Sequence, residues 1–181
     1  TVNPLGKTNS FTFDGNNNWT AGTAPTWVNA GIFRKTGGTL NTTIDAQFLN
    51  TGLIEVQTGT LRYGPNQQTA GLTLLDGGGL DAQAQPIQFL GGSLMGTGQV
   101  TVANTENVIN SATISPGLPL GQLNIAGNYQ QTSSGVLNIE LGGYLAGTAL
   151  DLVTVTGGGA GGDIATLSGT LNVTITNGFS P

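Results

Sequence analysis

The chain has 181 residues and contains neither cysteine nor histidine, and only 7% of its residues are charged. Without thiols or imidazoles it has no Ser-His-Asp or Cys-His catalytic arrangement. It also lacks the nitrogen and sulfur ligands of the usual zinc and iron sites. Disulfides are excluded as well, so packing and backbone hydrogen bonds must stabilise the fold. Carboxylate chemistry, Ca²⁺ binding, surface recognition and a structural role remain.

Positive charge is scarce and confined to one end of the sequence. Lys7, Arg34, Lys35 and Arg62 are the four cations, and no lysine or arginine follows Arg62. Because nucleic-acid binding neutralises phosphates with lysine and arginine, we predict no nucleic-acid partner. No apolar run approaches the roughly 20 residues that a membrane-spanning helix needs, so we expect no membrane span in this segment. The chain begins at Thr1, and we expect it to be a piece of a longer protein.

The sequence repeats. Residues 29–40 align with residues 50–61 at a period of 21, sharing an asparagine, a glycine, an apolar pair and a final Gly-Thr-Leu. Gly-x-Leu returns at Gly92, Gly121, Gly135 and Gly169. Residues 135–142 and 169–176 also share Gly-x-Leu-Asn-apolar-x-apolar. Such self-similarity is typical of solenoids.

Strict alternation of apolar residues, as at Leu137, Ile139 and Leu141, predicts short β-strands, and no window shows a helical period. Short strands about 21 residues apart, joined by turns rich in glycine and asparagine, favour a parallel β-helix with coils of roughly 20 residues. We therefore predict an all-β solenoid of about eight or nine coils, with asparagines forming ladders between coils at the corners.

Four segments follow from this pattern. We expect an N-terminal cap or leading strands over residues 1–28 and β-helix coils with the 21-residue repeat over 29–103. A seam or loop over 104–120 breaks the alternation and carries two prolines, and residues 121–181 form further coils. A domain boundary at the seam and a loop within one rod both remain open.

The second half carries a family resemblance. Its motifs are ISPG at 114–117, GQLNIAGNY at 121–129, SGVLNIELG at 134–142, DLVTVTG at 151–157 and LSGTLNV at 167–173. This run, over 114–178, resembles the membrane-proximal passenger segment of autotransporter-like proteins, and the first half resembles passenger repeats of large bacterial surface proteins. The resemblance implies a right-handed parallel β-helix, secretion to the cell surface, and a stalk or adhesive role without catalysis. The glycine-rich run at 157–163 departs from the family pattern.

Candidate chemical sites are few. Asp76 and Asp81 are the minimum carboxylate pair for glycoside hydrolysis, but solvated turn carboxylates are the favoured interpretation. Residues 158–163 fit the start of a Ca²⁺-binding nonapeptide once, without the tandem copies that such sites share, so we predict no metal and no cofactor. Asp151 precedes a strand and is expected to accept hydrogen bonds from turn amides.

Surface recognition rests on aromatic, threonine and basic residues. The notable aromatic residues outside obvious strand cores are Trp19, Trp27, Tyr63 and Tyr144. Trp19 and Trp27 are candidate glycan contacts, although capping of the coil stack is the favoured role for their segment. Threonine pairs do not recur at the 21-residue period, which argues against ice binding. Arg34 and Lys35 form the one cationic pair, suited either to acidic glycans or to blocking a strand edge.

The sequence thus predicts a non-catalytic segment of a secreted or cell-surface bacterial protein that acts as a rigid stalk or adhesin-like passenger. The alternatives are a protomer of an extracellular filament, and a β-helix that binds or cleaves glycans through surface carboxylates. The expected partners are further copies of the chain or surface glycans.

Overall fold

The computed structural model describes residues 10–13, 18–20, 26–157 and 164–180, with side chains for the last two ranges. No helix occurs among these residues, and every strand pairing in them is parallel. The strands, in chain order, are β1 (Ser10–Phe13), β2 (Asn18–Thr20), β3 (Thr26–Asn29), β4 (Ile32–Lys35), β5 (Asn41–Asp45), β6 (Gln47–Asn50), β7 (Leu53–Val56), β8 (Thr60–Tyr63), β9 (Asn66–Gln68), β10 (Leu72–Asp81), β11 (Ile87–Phe89), β12 (Ser93–Thr101), β13 (Asn107–Asn110), β14 (Thr113–Pro116), β15 (Gln122–Ala126), β16 (Asn128–Gln131), β17 (Val136–Leu141), β18 (Leu152–Thr156), β19 (Ala165–Thr166) and β20 (Thr170–Ile175).

The strands stack into three faces. Face 1 holds β1, β4, β7, β10, β12, β14, β17 and β20, and face 3 holds β3, β6, β9, β11, β13, β16 and β19. Face 2 holds β2, β5, β8, β15 and β18, together with the second halves of β10 and β12. Because β10 and β12 run continuously from face 1 into face 2, these two faces form one sheet. The predicted parallel β-solenoid is confirmed.

The period of the solenoid is close to the predicted one. On face 1, Ile32 pairs with Leu53, 21 residues later, and Leu53 pairs with Leu72 after a further 19. Between Ile32 and Gln131, about five successive turns each contribute one strand to each face. The expected eight or nine turns were too many, because the turn that follows is much longer: Val136 pairs with Thr170, 34 residues away.

The core is a set of columns that run along the solenoid axis. Side chains alternate between the inside and the outside of each strand, so residues in register stack directly over one another. The face 1 column contains Phe33, Ile54, Thr73, Leu94 and Ile114, all buried. The face 2 column contains Thr42, Leu61, Leu80, Val100 and Ile125, also buried. Gly-x-Leu therefore occurs on two different faces, with Leu94 on face 1 and Leu123 on face 2, which is why its spacing is irregular.

The aligned repeat places Leu40 and Leu61 at equivalent positions, and this prediction was wrong. Leu40 aligns with Leu61 in the sequence, but Leu40 is 64% exposed, whereas Leu61 is buried and pairs with Thr42. The physical reason lies in turn length. Five residues separate β4 from β5, and three separate β7 from β8, so the register shifts by two residues after the turn.

The predicted amide ladder is present inside face 3. Asn29 donates from Nδ2 to Asn50 Oδ1 at 2.8 Å, and Asn50 donates from Nδ2 to Gln68 Oε1 at 3.0 Å. All three residues are buried and in register. Gln68 in turn donates to the carbonyl oxygens of Gly91 and Ser93. The ladder thus satisfies corner carbonyls that burial would otherwise leave without partners.

The pair of adjacent cations does not form one surface patch. Lys35 is fully buried, and its Nζ donates to the carbonyl oxygens of Gly37 and Gly38 at 2.8 and 3.1 Å. Burial lowers the pKa of Lys35. Arg34 faces outward and forms an ion pair with its register partner Glu55, Nε to Oε2 at 2.5 Å. Alternation along β4 separates the two side chains, so their interpretation as one basic surface pair was wrong.

Candidate functional site

The long turn between β17 and β20 adds an extended pair of strands at the end of face 1. β17 and β20 are each six residues long and pair along their whole length, from Val136–Thr170 to Leu141–Ile175. Their second halves extend beyond β14, which pairs with β17 through only two residues. We call β17, β20 and the loop 142–150, which leads from β17 towards β18, the ribbon. Insertions in a single solenoid turn commonly form loops on a binding face.

Asp151 links the ribbon to the start of β15 through hydrogen bonds of its carboxylate. Its carboxylate accepts a hydrogen bond from the backbone N–H of Gly121 at Oδ1 and another from Glu140 at Oδ2, both at 2.9 Å. Its own N–H donates to the carbonyl oxygen of Glu140. Burial raises the pKa of the Asp151 carboxyl, and the two donated hydrogen bonds offset part of that effect. The prediction that Asp151 satisfies turn amides is confirmed.

A groove of about 720 Å³ lies between the ribbon and residues 115–119. Its polar lining consists of Ser115, Asn138, Glu140, Asp151, Asn172 and Thr174. Met95, Leu118 and Pro119 are among its apolar residues. This volume falls in the range of small-molecule sites, roughly 300–1,000 Å³.

An external amide ladder crosses the groove. Asn138 donates from Nδ2 to Ser115 Oγ at 3.0 Å, and Asn172 donates from Nδ2 to Asn138 Oδ1 at 3.0 Å. These asparagines were not among the predicted site residues, although each is the asparagine of one of the two Gly-x-Leu-Asn segments. That repeat was a signal for them, because the two segments form β17 and β20, which pair in register and place Asn172 beside Asn138.

An aromatic pair lies just beyond the ends of the ribbon strands. The rings of Tyr144 and Phe179 meet edge to face, with centroids 4.8 Å apart and planes at 85°. Tyr144 is 80% exposed and the adjacent Leu145 is 70% exposed. Exposed apolar groups of this size are common at binding surfaces.

The tryptophans proposed as glycan contacts lie on different faces. Trp27 in β3 is half-buried and packs against the core, stacking on Phe48 at 6.3 Å and meeting Phe33 edge to face at 6.2 Å. The backbone of Trp19 in β2 is in register with Ile44, and the Trp19 side chain lies outside the described part. Their role in glycan binding stays a prediction.

Tyr63 was grouped with the aromatics outside the strand cores, and this was wrong. Its ring is fully buried in the core and stacks on Phe48, with centroids 5.6 Å apart. Burial also raises the pKa of the Tyr63 hydroxyl. Strand alternation places it inside, because Tyr63 pairs in register with the buried Ile44.

The carboxylates weighed for hydrolysis lie outside the groove. Asp81 forms an ion pair with its register partner Arg62 at 3.2 Å and accepts a hydrogen bond from the N–H of Gln83. Asp76 is exposed on the same strand, β10. The candidate Ca²⁺ segment 158–163 lies outside the described residues. Within the described part, no three acidic side chains cluster in a way that would hold a metal ion.

Comparisons with known proteins leave the family open. No family model, curated protein or solved structure matches the chain. The residues that the structure describes include no helix able to cross a membrane.

Proposed function

We propose that the chain is a non-catalytic segment of a secreted or cell-surface bacterial protein and acts as a rigid stalk or adhesin-like passenger. The observation that carries the proposal is the unbroken stack of five turns, with core columns and a buried amide ladder in register. Each of these turns pairs with its neighbours on all three faces, so the stack resists bending and needs no disulfide or cofactor.

Surface chemistry supports an extracellular setting. The chain offers trypsin-like proteases no lysine or arginine beyond Arg62, and Arg34 and Arg62 are engaged in ion pairs. The proposal includes a relationship to autotransporter-like proteins, because the motifs at 114–178 resemble their membrane-proximal passenger segment.

Rigidity can be measured by pulsed electron paramagnetic resonance between two spin labels. The chain has no native cysteine, so Val28→Cys and Gln130→Cys would carry the labels. Both positions are exposed on face 3, and they are joined in register by five strand-to-strand steps. At about 4.8 Å a step, their backbones lie roughly 24 Å apart.

A single narrow distance near that value supports a stiff stalk, and a broad distribution contradicts it. The cellular setting needs its own test. An antibody raised against the chain should label intact cells of the source organism, whereas labelling that requires permeabilised cells would contradict a surface location.

A filament protomer is the second candidate, favoured by the exposed end of face 1. Leu171, Val173 and Ile175 continue the core side of β17 but are each more than half exposed. In the described residues β20 pairs with β17 alone. Sedimentation velocity should then show species that grow with concentration and disappear in Val173→Lys. A monomer at all concentrations would exclude this candidate.

A further inference from the structure

We propose that the groove beside the ribbon binds a neutral oligosaccharide. The inference deepens the adhesin-like part of the proposed function by naming a ligand class. It starts from the position of the groove, which lies where the turn length rises from about 20 residues to 34. β17, β20 and Asp151 form one wall of the groove, and residues 115–119 form the other.

The amide ladder gives the groove its hydrogen-bonding chemistry. Each asparagine amide has two N–H donors and an acceptor oxygen. The contacts Asn138–Ser115 and Asn172–Asn138 use one N–H of each amide. The second N–H of each amide and the oxygen of Asn172 can therefore address neighbouring hydroxyls of a sugar ring. Their spacing is fixed by the strand separation between β17 and β20, which orders the donors before a ligand arrives.

The charge of the groove selects among glycans. Glu140 and Asp151 are the ionisable residues in its lining, both acidic, and the sequence contains no lysine or arginine after Arg62. A uronate, sialylated or sulfated glycan would meet carboxylates without a compensating cation. A neutral glycan avoids that repulsion, and its hydroxyls can donate to Glu140.

Apolar surface completes the site. Leu118, Pro119 and Met95 provide aliphatic contacts inside the groove. Tyr144, four residues after Glu140, presents an exposed ring of the kind on which the apolar face of a sugar packs. Four extended residues span at most about 14 Å, which a short oligosaccharide can bridge.

The test begins with the full chain on an array of neutral and acidic oligosaccharides, followed by calorimetric titration with the neutral compound that gives the strongest signal. Asn172→Ala and Tyr144→Ala should each weaken its affinity about three- to tenfold, as expected for one lost hydrogen bond or ring contact. Gln88→Ala is the matched control, because Gln88 accepts a hydrogen bond from Gln67 in another outward amide pair, on face 3. It should leave affinity unchanged.

Glu140→Gln tests the charge argument separately. Removing this carboxylate should raise the binding of acidic oligosaccharides relative to the neutral compound. Circular dichroism checks that all four variants keep the wild-type β-spectrum. The proposal is overturned if no neutral oligosaccharide binds, if acidic ones bind more tightly to the wild type, or if the groove variants lose no more affinity than Gln88→Ala. The spin-label distance is independent of these results, so a failed glycan site and a failed stalk are distinguishable.

Discussion

The buried amide ladder provides the sharpest test of what holds the solenoid together. Asn50 is fully buried and takes part in four hydrogen bonds through its side chain. It accepts from Asn29 Nδ2 at 2.8 Å and Gly52 N at 3.2 Å, and donates to Gln68 Oε1 at 3.0 Å and the Gly52 carbonyl at 3.3 Å. Asn50→Leu keeps the side chain close in size but removes all four.

The expected loss follows from those contacts. Four hydrogen bonds at about 1 kcal/mol each set an upper figure of about 4 kcal/mol. The neighbours keep second partners, since Asn29 also donates to the Leu53 carbonyl and Gln68 Oε1 accepts from Thr73. We therefore expect Asn50→Leu to lower the free energy of unfolding by about 2–4 kcal/mol, equivalent to roughly 5–15 °C in Tm for a chain of this length.

The assay is equilibrium unfolding in urea, followed by far-ultraviolet circular dichroism. Gln67→Leu is the matched control, because Gln67 lies beside Gln68 in β9 but faces outward and makes a single 3.3 Å bond to Gln88. It should change stability by less than about 0.5 kcal/mol. Equal losses in the two variants, or an Asn50→Leu protein as stable as wild type, would refute a stabilising role for the internal ladder.

Three further perturbations test other parts of the structure. Gly71 has φ +76°, and a Cβ there would lie 2.0 Å from the Gly52 carbonyl oxygen, so thermal unfolding should show a loss above about 3 kcal/mol for Gly71→Ala. Gly178→Ala, at φ +65° with nothing within 4 Å, should cost only about 1–2 kcal/mol, and equal losses would contradict the packing argument. Asp151→Asn leaves one oxygen for two N–H donors and should cost about 1–3 kcal/mol. Because the pKa of the Asp151 carboxyl is raised in the folded chain, the folded state keeps this proton to a higher pH than the unfolded state. The free energy of unfolding of the wild type should therefore fall as pH rises from the unfolded pKa through the folded pKa. A pH profile that Asp151→Asn leaves unchanged would contradict this. Hydrogen bonding from Arg34 lowers the pKa of Glu55 in the folded chain. The ion pair therefore adds under about 1 kcal/mol to the free energy of unfolding above the unfolded pKa, and this stabilisation is lost as pH falls through the folded pKa. Glu55→Gln should remove that acid dependence from the urea midpoint.

Much of the architecture was predictable from local pattern. Alternating apolar residues predicted the strands, because side chains on a strand point to opposite sides. The pairing of Asn29 with Asn50, and of residues 136–141 with 170–175, was visible as a repeat because stacked turns demand similar residues at equivalent positions. The ladder role of asparagine at the corners and the amide-binding role of Asp151 followed from side-chain chemistry.

Turn length and its consequences were decided only in three dimensions. The two additional residues before β5 move Leu40 out to solvent and place Thr42 over Leu61, a shift that the repeat could not show. Alternation along β4 buries Lys35 beside its exposed neighbour Arg34.

The groove also depends on the register between distant strands. Asn138 and Asn172 are 34 residues apart in sequence, and their amides meet because parallel pairing brings β20 alongside β17. The sequence by itself determined a parallel solenoid with a ladder of corner amides, because each strand carries its own alternation and each turn its own glycine and asparagine. The tertiary structure decided which residues face outward at the long turn and which polar groups converge there, because the register between distant strands depends on the turns that separate them.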